Sequence, residues 1–98
     1  MTTKQLYEAF ERHHSEYMRH ERIPAKFSNR ADLHAFIRLD MLVPGGDDIV
    51  CHSSHDEITL AVSPADLAAA LTDESLIIEL LRCGVRLNRD HETFTMYV

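Results

Sequence analysis

Two stretches near the end of the chain share one alternating pattern of apolar and polar residues. The segment 55–62 is echoed 36 positions later by 91–98, with His, Thr and Val kept at matching positions. Ile and Leu of the first copy are matched by Phe and Met in the second. Alternation with a period of two predicts half-buried β-strands. The echo either marks a helix–hairpin unit used twice or is a coincidence, because strands draw on few residue types.

Patterns of longer period predict two helices in the first part of the chain. The first runs from Thr3 to Glu21, and its apolar stripe consists of Leu6, Tyr7, Phe10, His14, Tyr17 and Met18. The second begins near Arg30, and its buried stripe is predicted to be Leu33, Phe36, Ile37 and Met41. Pro44 and the two glycines after it end this helical part.

The first hairpin is predicted at 49–62, where two apolar runs flank a polar turn. Ser63 and Pro64 then form a typical helix N-terminus. A fourth helix follows after almost no loop and stops at Gly84.

The last hairpin is predicted at 85–98. Alternation along its second strand separates two faces. The residues expected to face inward are Phe94, Met96 and Val98, and those expected to face outward are Thr93, Thr95 and Tyr97.

This order, ααββααββ, predicts a single α+β domain over residues 1–98. The domain comprises an N-terminal helical part, 1–44, and two helix-and-hairpin units, 45–62 and 63–98. We expect a small antiparallel sheet of two hairpins, with helices packed on one face and the other face wet. A chain of 98 residues is long enough for one hydrophobic core.

Composition places the chain among ordinary globular proteins, since 45% of its residues are hydrophobic and 27% are charged. No apolar run approaches the roughly 18 residues of a membrane span, and the first residues lack the apolar core of a signal peptide. These features predict a cytoplasmic protein. Cys51 and Cys83 have no metal-ligand spacing, so both are expected to be reduced and structural.

The net charge of −6 is unevenly distributed along the chain. Residues 1–38 carry seven basic and five acidic side chains, whereas residues 39–98 carry three basic and eleven acidic ones. An acidic surface disfavours direct binding of nucleic acid. The asymmetry suits a homo-oligomer in which one molecule's first helix lies on another's acidic face, or it reflects two solvated surfaces.

One hairpin turn concentrates the residue types that bind metals. Cys51, His52, His55 and Asp56 lie close together in sequence, and His91 occupies the matching turn of the second hairpin. A zinc site needs three or four converging ligands. His91 could contribute only if the two hairpins lie side by side; otherwise these are solvated turn residues. The sequence predicts neither a bound metal nor another cofactor.

Catalytic residue types are present without the pattern that catalysis requires. Ser53 and Ser54 lie beside histidines and an aspartate, but no glycine-flanked nucleophile turn accompanies them. The pair Gly45-Gly46 matches no phosphate-binding loop. The chain is therefore predicted not to be an enzyme.

The segment 80–86, Leu-Leu-Arg-Cys-Gly-Val-Arg, is followed by an acidic turn and by Thr95-Met96-Tyr97-Val98. This ending resembles the tails of small uncharacterised proteins encoded by phages and prophages. The stretch 43–47, Val-Pro-Gly-Gly-Asp, adds to the resemblance. The resemblance implies a phage or prophage origin and supplies no active residues.

Binding is the function that the sequence favours: a non-enzymatic module that binds another protein or associates with itself. Aromatic residues are enriched at interfaces, and the contact residues that we predict are Tyr7, Tyr17 and Tyr97. One alternative is an acidic decoy of a host protein that binds nucleic acid, with the carboxylates Asp47, Asp48, Asp56, Glu57, Asp90 and Glu92. The other is a metal-binding enzyme or sensor built on the hairpin from Cys51 to Glu57.

Overall fold

Four α-helices and four β-strands alternate in pairs along the chain, in a computed structural model that describes residues 1–97. In chain order they are α1 (Thr3–Arg12), α2 (Ala31–Leu42), β1 (Val50–Ser53), β2 (Glu57–Leu60), α3 (Pro64–Ala70), α4 (Ser75–Arg82), β3 (Val85–Asn88) and β4 (Thr93–Tyr97). Two short 3₁₀ turns, His14–Glu16 and His20–Arg22, lie between α1 and α2. The predicted α+β class and the order ααββααββ are confirmed.

Side-chain hydrogen bonds begin two of the helices where the sequence indicates. The Thr2 hydroxyl accepts the backbone N–H of Gln5 at 3.1 Å, and the Gln5 side chain accepts the Thr2 N–H at 2.8 Å. At α3 the Ser63 hydroxyl accepts the N–H of Asp66 at 3.0 Å, and Pro64 occupies the first turn. Each of these bonds satisfies a backbone donor that lacks a partner within its helix, so both helix starts are specified locally.

The strands form one antiparallel sheet in the order β1-β2-β4-β3, with the two echoed strands paired at its centre. The register pairs Ile58 with Met96, Thr59 with Thr95, and Leu60 with Phe94. A shift of 36 residues maps this set of pairs onto itself, so a local two-fold axis passes between Thr59 and Thr95. Such a register is expected of a repeated unit paired with its own copy; duplication as the origin of the echo stays a prediction.

Antiparallel pairing of β2 with β4 also places the two hairpin turns at opposite ends of the sheet. Glu57, which follows the first turn, pairs with Tyr97, which is the residue of β4 farthest from the second turn at 89–92. The length of β2, about 10 Å, therefore separates the two turns. The strands β1 and β3 form the edges of the sheet.

The hydrophobic core lies between the sheet and the helices. Its large, fully buried side chains are Leu6, Leu39, Leu67, Leu71, Ile77, Leu80, Leu81, Val85, Phe94 and Met96. Across the core the rings of Phe10 and Phe94 lie 5.7 Å apart, centroid to centroid. None of the helices in residues 1–97 is long and apolar enough to cross a membrane.

The first helix is shorter than the sequence predicts. It ends at Arg12, and the predicted continuation over 13–21 is wrong. Tertiary contacts turn the chain there: Arg12 pairs with the Glu74 carboxylate just before α4, and the N–H of Met18 donates to the Leu81 carbonyl at 2.9 Å. Met18 has a φ of 62°, which an α-helix does not accommodate. These partners are more than sixty residues away in sequence, so local periodicity does not reveal them.

Helix α2 is rotated relative to the prediction. Its buried residues are His34, Ala35 and Leu39. Of the stripe that was predicted to be buried, Leu33 and Met41 are instead 44% and 59% exposed, and the other two residues are half-buried. The predicted stripe therefore faces solvent at Leu33 and Met41, whereas Phe36 packs against the margin of the core.

A carboxylate on α4 holds α2 in this rotation. Glu79 accepts two hydrogen bonds from the Arg38 guanidinium, at 2.5 and 3.3 Å, and one from His34 Nε2 at 3.1 Å. The Nδ1 atom of His34 accepts the backbone N–H of Phe27 at 3.1 Å, so the neutral ring carries its proton on Nε2. Both polar atoms of this completely buried ring are thereby satisfied, and turning α2 over would remove the partners of His34.

The last strand follows the predicted alternation with one exception. Phe94 and Met96 are buried and Tyr97 is half-exposed, as predicted. Thr95 is only 3% exposed although it was expected to face solvent, because its cross-strand neighbours Arg86 and Thr59 flank it on the same face. The predicted inward position of Val98 lies outside the described residues.

The rotation of α2 predicts different costs for two leucine truncations in the same helix. We expect Leu39→Ala to lower the free energy of unfolding by about 2–5 kcal/mol, because it opens a cavity in the core. Leu33→Ala should lower it by less than about 1 kcal/mol, because that side chain is largely exposed. Urea denaturation of the two variants checks this; equal costs, or the larger cost at Leu33, would contradict the observed rotation.

Candidate functional site

The metal-ligand types that the sequence groups together are divided between the two ends of the sheet. Cys51, His52, His55 and Asp56 belong to the first hairpin, and His91 belongs to the turn at the opposite end. His55 and Asp56 approach each other to 3.8 Å, both fully in solvent. Within residues 1–97, no three histidine, cysteine or carboxylate side chains are grouped so that they could hold a metal ion.

The two cysteines occupy different environments. Cys83 at the end of α4 is buried, and burial raises the pKa of its thiol to about 12, with a further contribution from the Glu79 charge. Cys51 on β1 is exposed, so the expectation that both thiols are structural is wrong for this one. Cys51 lies on an edge strand, at an irregularity of the β1–β2 register between Val50 and His52.

The three tyrosines that the sequence singles out lie around one side chain, Arg86 on β3. The Arg86 guanidinium carbon lies 4.4 Å from the centre of the Tyr97 ring, a cation–π distance. Burial raises the pKa of the Tyr17 hydroxyl, against the lowering effect of the nearby Arg86 charge. Tyr7 lines the same cavity as Arg86. The interaction set is thus gathered on one side of the molecule, although Tyr7 and Tyr17 are half-buried.

That cavity opens between α1 and the edge strand β3 and has a volume of about 290 Å³; we call it the α1–β3 cavity. Its apolar lining comes from Phe10, Leu81 and Leu87. Its polar lining includes Arg86 and Thr95 together with Tyr7, Glu11, His14, Asn88 and Arg89. The volume lies near the lower end of the range of about 300–1,000 Å³ that small-molecule sites occupy.

The two arginines of this cavity are held with different strength. Arg86 donates to the Glu57 carboxylate at 2.6 Å, and about two thirds of both side chains is shielded from solvent. Arg89 donates to Glu11 at 3.1 Å, but both side chains of that pair are mostly exposed. An exposed ion pair contributes little and exchanges its partners readily. Arg89 is therefore the cation that can turn toward a ligand.

Three buried polar atoms on this side of the molecule lack a hydrogen-bond partner within residues 1–97. They are the Tyr17 hydroxyl, Nε of Arg86 and the Thr95 hydroxyl. Arg86 and Thr95 are cross-strand neighbours on one face of the sheet, and both line the α1–β3 cavity. A buried polar atom without a partner is costly, and such atoms concentrate where water or a ligand is to be bound.

A second concave surface, the α2 groove, lies between the outward face of α2 and the loop that enters β1. Its volume is about 340 Å³. The apolar lining comes from Phe36, Ile37, Val43, Ile49 and Val62, and the acidic lining from Asp40, Asp47 and Asp48. The exposed side chains of Leu33 and Met41 continue the apolar surface along α2.

The carboxylates of the α2 groove have no basic neighbour to neutralise them. None of Asp40, Asp47 and Asp48 forms an ion pair in the part of the chain that the structure describes. Helix α2 has no basic residue in its last turn, so the negative end of its dipole adds to their charge. The groove is therefore both apolar and strongly negative.

The carboxylates predicted to form an acidic decoy do not make one surface. Asp56 lies in the turn at one end of the sheet, whereas Asp90 and Glu92 lie in the turn at the other end. Glu57 is paired with Arg86. Only Asp47 and Asp48 of the predicted set line the α2 groove.

The Glu79 carboxylate stays ionised at neutral pH. Burial alone would raise its pKa, but the hydrogen bonds from Arg38 and His34 outweigh burial, and the pKa lies below its ordinary value. The ion pair with Arg38 therefore contributes to the attachment of α2 throughout the neutral range.

Sequence reasoning did not single out Arg86, Arg89, His34 or Glu79. Arg86, His34 and Glu79 lie in helices or strands and Arg89 lies in a turn, and each acquires its role from a partner distant in sequence.

No protein-family model, no curated protein and no solved structure matches this chain. Function is therefore inferred from the geometry of the described residues. The predicted resemblance to phage and prophage proteins stays a prediction, since none of these comparisons tests it.

The contrast between the thiols predicts selective labelling of the folded protein. Iodoacetamide should alkylate Cys51 readily and leave Cys83 unmodified until the protein unfolds, because Cys83 is buried and its pKa is about 12. Mass spectrometry of peptides from native and urea-treated samples measures both sites. Equal labelling of the two cysteines in the native protein would contradict the packing of α4.

The low pKa of Glu79 predicts a pH-dependent contribution to stability. Glu79→Gln should lower the free energy of unfolding at neutral pH by about 1–3 kcal/mol, because it removes a charged hydrogen-bond acceptor. A carboxyl whose pKa is lowered by folding stabilises above its ordinary pKa, 4.5, and this stabilisation is lost as the pH falls through the folded value. The difference between wild type and variant should therefore shrink in acid.

Glu21→Gln is the matched control, because Glu21 is exposed and has no ion pair recorded in residues 1–97. Its effect on the free energy of unfolding should be within about 0.5 kcal/mol. Urea denaturation of all three proteins from neutral pH to pH 4 makes the comparison. An effect of Glu79→Gln no larger than that of the control would contradict the role of Glu79.

Proposed function

We propose that the protein is a non-enzymatic protein-binding module, and that its α2 groove binds a basic amphipathic segment of a partner protein. The observation that carries this proposal is the exposed stripe of α2 beside three carboxylates that form no ion pair with any residue in 1–97. The tyrosines predicted as contact residues lie around Arg86 instead, so this proposal places the partner on a different surface.

The apolar part of the groove supports a protein partner. Leu33 and Met41 are the most exposed large side chains of α2, at 44% and 59%, and Phe36 and Ile37 lie between them, half-buried. They form a stripe along a 12-residue helix. Contiguous apolar surface of this kind, rimmed by charged residues, marks interaction sites on soluble domains.

The charge of the groove supports a basic partner. The groove is made negative by two features: the three aspartates Asp40, Asp47 and Asp48, and the negative end of the α2 dipole. Lysine or arginine side chains would neutralise these carboxylates while apolar side chains of the same segment cover the stripe. An amphipathic helix with basic flanks has both features, and helices in apolar grooves are a recurrent mode of recognition.

Self-association is the competing occupant of the same surface. A second copy could lay its own α2 stripe on this one in a two-fold dimer, but the carboxylates of both copies would then approach each other. A basic segment of another protein avoids that repulsion. A phage or prophage accessory protein acting on a host protein in the cytoplasm fits this function, and the resemblance of its C-terminal segment supports that origin.

The test uses a fluorescent amphipathic peptide with leucines on one helical face and lysines on its flanks. Fluorescence anisotropy should show saturable binding. The triple variant Asp40→Asn, Asp47→Asn, Asp48→Asn should weaken it by about five- to tenfold, since each surface ion pair contributes about 0.2–1 kcal/mol. Leu33→Ser combined with Met41→Ser should weaken it to a similar degree, through lost apolar contact.

The matched control is the variant Asp56→Asn, Asp90→Asn, Glu92→Gln, which changes the net charge equally but leaves the groove intact. It should bind the peptide as the wild type does. A scrambled peptide of identical composition should bind weakly. Equal loss in both triple variants would mean that the peptide senses only net charge, and it would refute the proposal; a dimer detected by ultracentrifugation and abolished by Leu33→Ser would favour self-association instead.

A further inference from the structure

The α1–β3 cavity has two chemically different sides. Phe10, Leu81 and Leu87 supply apolar surface. Arg86, Arg89 and Thr95 supply hydrogen-bond donors, two of them cationic. Ligand sites in proteins typically have this composition, with a mostly apolar lining and a few polar groups that fix orientation.

The unpartnered polar atoms of this region indicate which ligand groups the cavity can bind. Arg86 Nε can only donate a hydrogen bond, and the neighbouring Thr95 hydroxyl can donate as well as accept. Within residues 1–97 the Arg86 guanidinium donates to Glu57, and its Nε atom has no acceptor. Only 3% of Thr95 is exposed, so bulk water does not supply that acceptor. An oxygen acceptor within hydrogen-bond distance of either group would satisfy it.

The guanidinium of Arg89, which lines the cavity, can turn from its present partner toward a ligand. Arg89 is held there by Glu11 through an exposed ion pair, and its guanidinium carbon lies 5.4 Å from the centre of the Tyr7 ring. Because such a pair contributes little, an incoming anion can replace Glu11 at small cost. Arg89 would then add a charge-assisted hydrogen bond, which is stronger than a neutral one.

We infer that the α1–β3 cavity binds a small organic carboxylate with an apolar or aromatic body. The carboxylate lies toward Arg86, Thr95 and Arg89, and the body lies against Phe10, Leu81 and Leu87. An inorganic anion would satisfy the donors without covering the apolar side. An uncharged aromatic compound would cover the apolar side without satisfying the donors, so both should bind less well.

This site is independent of the proposed protein-binding function, because the cavity and the α2 groove share no lining residue. The triple variant Asp40→Asn, Asp47→Asn, Asp48→Asn should therefore bind a small carboxylate as the wild type does. Failure of either proposal leaves the other one standing.

The test is a titration of the ¹⁵N-labelled protein with benzoate, followed by amide chemical shifts. Saturable shifts should be confined to residues of the cavity, with the largest at 86–89 and 95. Benzamide, the uncharged analogue, should bind roughly tenfold more weakly or less, since hydrogen bonds to a charged group contribute more than neutral ones. Inorganic phosphate should also bind more weakly than benzoate.

Two variants test the named donors. Arg89→Gln and Thr95→Val should each weaken benzoate by about three- to tenfold. Thr95→Val should also raise the melting temperature of the ligand-free protein by roughly 4 °C or more, because it removes a buried hydroxyl that has no partner. Gain of stability with loss of binding is a pattern that a merely structural threonine would not show.

Arg30→Gln is the matched control, because Arg30 is exposed, lies at the N-cap position before α2 and does not line the cavity. It should leave the benzoate titration unchanged. Three results would overturn the inference: no saturable shifts with benzoate, equal affinity for benzoate and benzamide, or equal weakening by Arg30→Gln and Arg89→Gln. A lower melting temperature of Thr95→Val with unchanged benzoate binding would identify a bound water as the partner of Thr95, and it would also overturn the inference.

Discussion

The contact of Glu79 with His34 and Arg38 is the interaction on which the orientation of α2, and with it the proposed binding surface, depends. Helix α2 carries apolar residues on both faces, so hydrophobic burial alone does not choose between them. A largely buried carboxylate on α4 makes the choice, because only one rotation of α2 presents the histidine and the arginine to it. Leu33 and Met41 are thereby turned toward solvent. The proposed binding surface therefore follows from a polar contact on the opposite side of the same helix.

Pairing of β2 with β4 is the second constraint, and it determines where the two concave surfaces lie. The central strands leave β1 and β3 as the edges of the sheet. The α2 groove forms beside the entry to β1, and the α1–β3 cavity forms beside the other edge strand. The two surfaces share no lining residue, so the two proposed ligands would not compete for the same residues. The same pairing places the two hairpin turns at opposite ends of the sheet. His55 and His91, which occupy matching positions in the sequence, therefore lie in different turns.

Much of the fold could be predicted from sequence because its signals are local. Ser63 and Pro64 start α3, and period-two alternation identifies β2 and β4, since each of these depends on neighbouring residues. The length of α1 and the rotation of α2 could not be predicted. The first depends on Glu74 and on the Leu81 carbonyl, and the second on Glu79, all distant in sequence. The candidate cavity was missed for the same reason, although Tyr7 was identified as a contact residue and does line it.

The outward orientation of the α2 stripe is the central claim, and methyl NMR with a soluble paramagnetic agent tests it most directly. The agent broadens signals of methyl groups that solvent reaches and leaves buried ones sharp. Strong broadening is predicted for the methyl groups of Leu33 and Met41, and little for Leu39. The reverse order, with Leu39 broadened and Leu33 and Met41 protected, would contradict the rotation of α2 and with it the proposed binding surface.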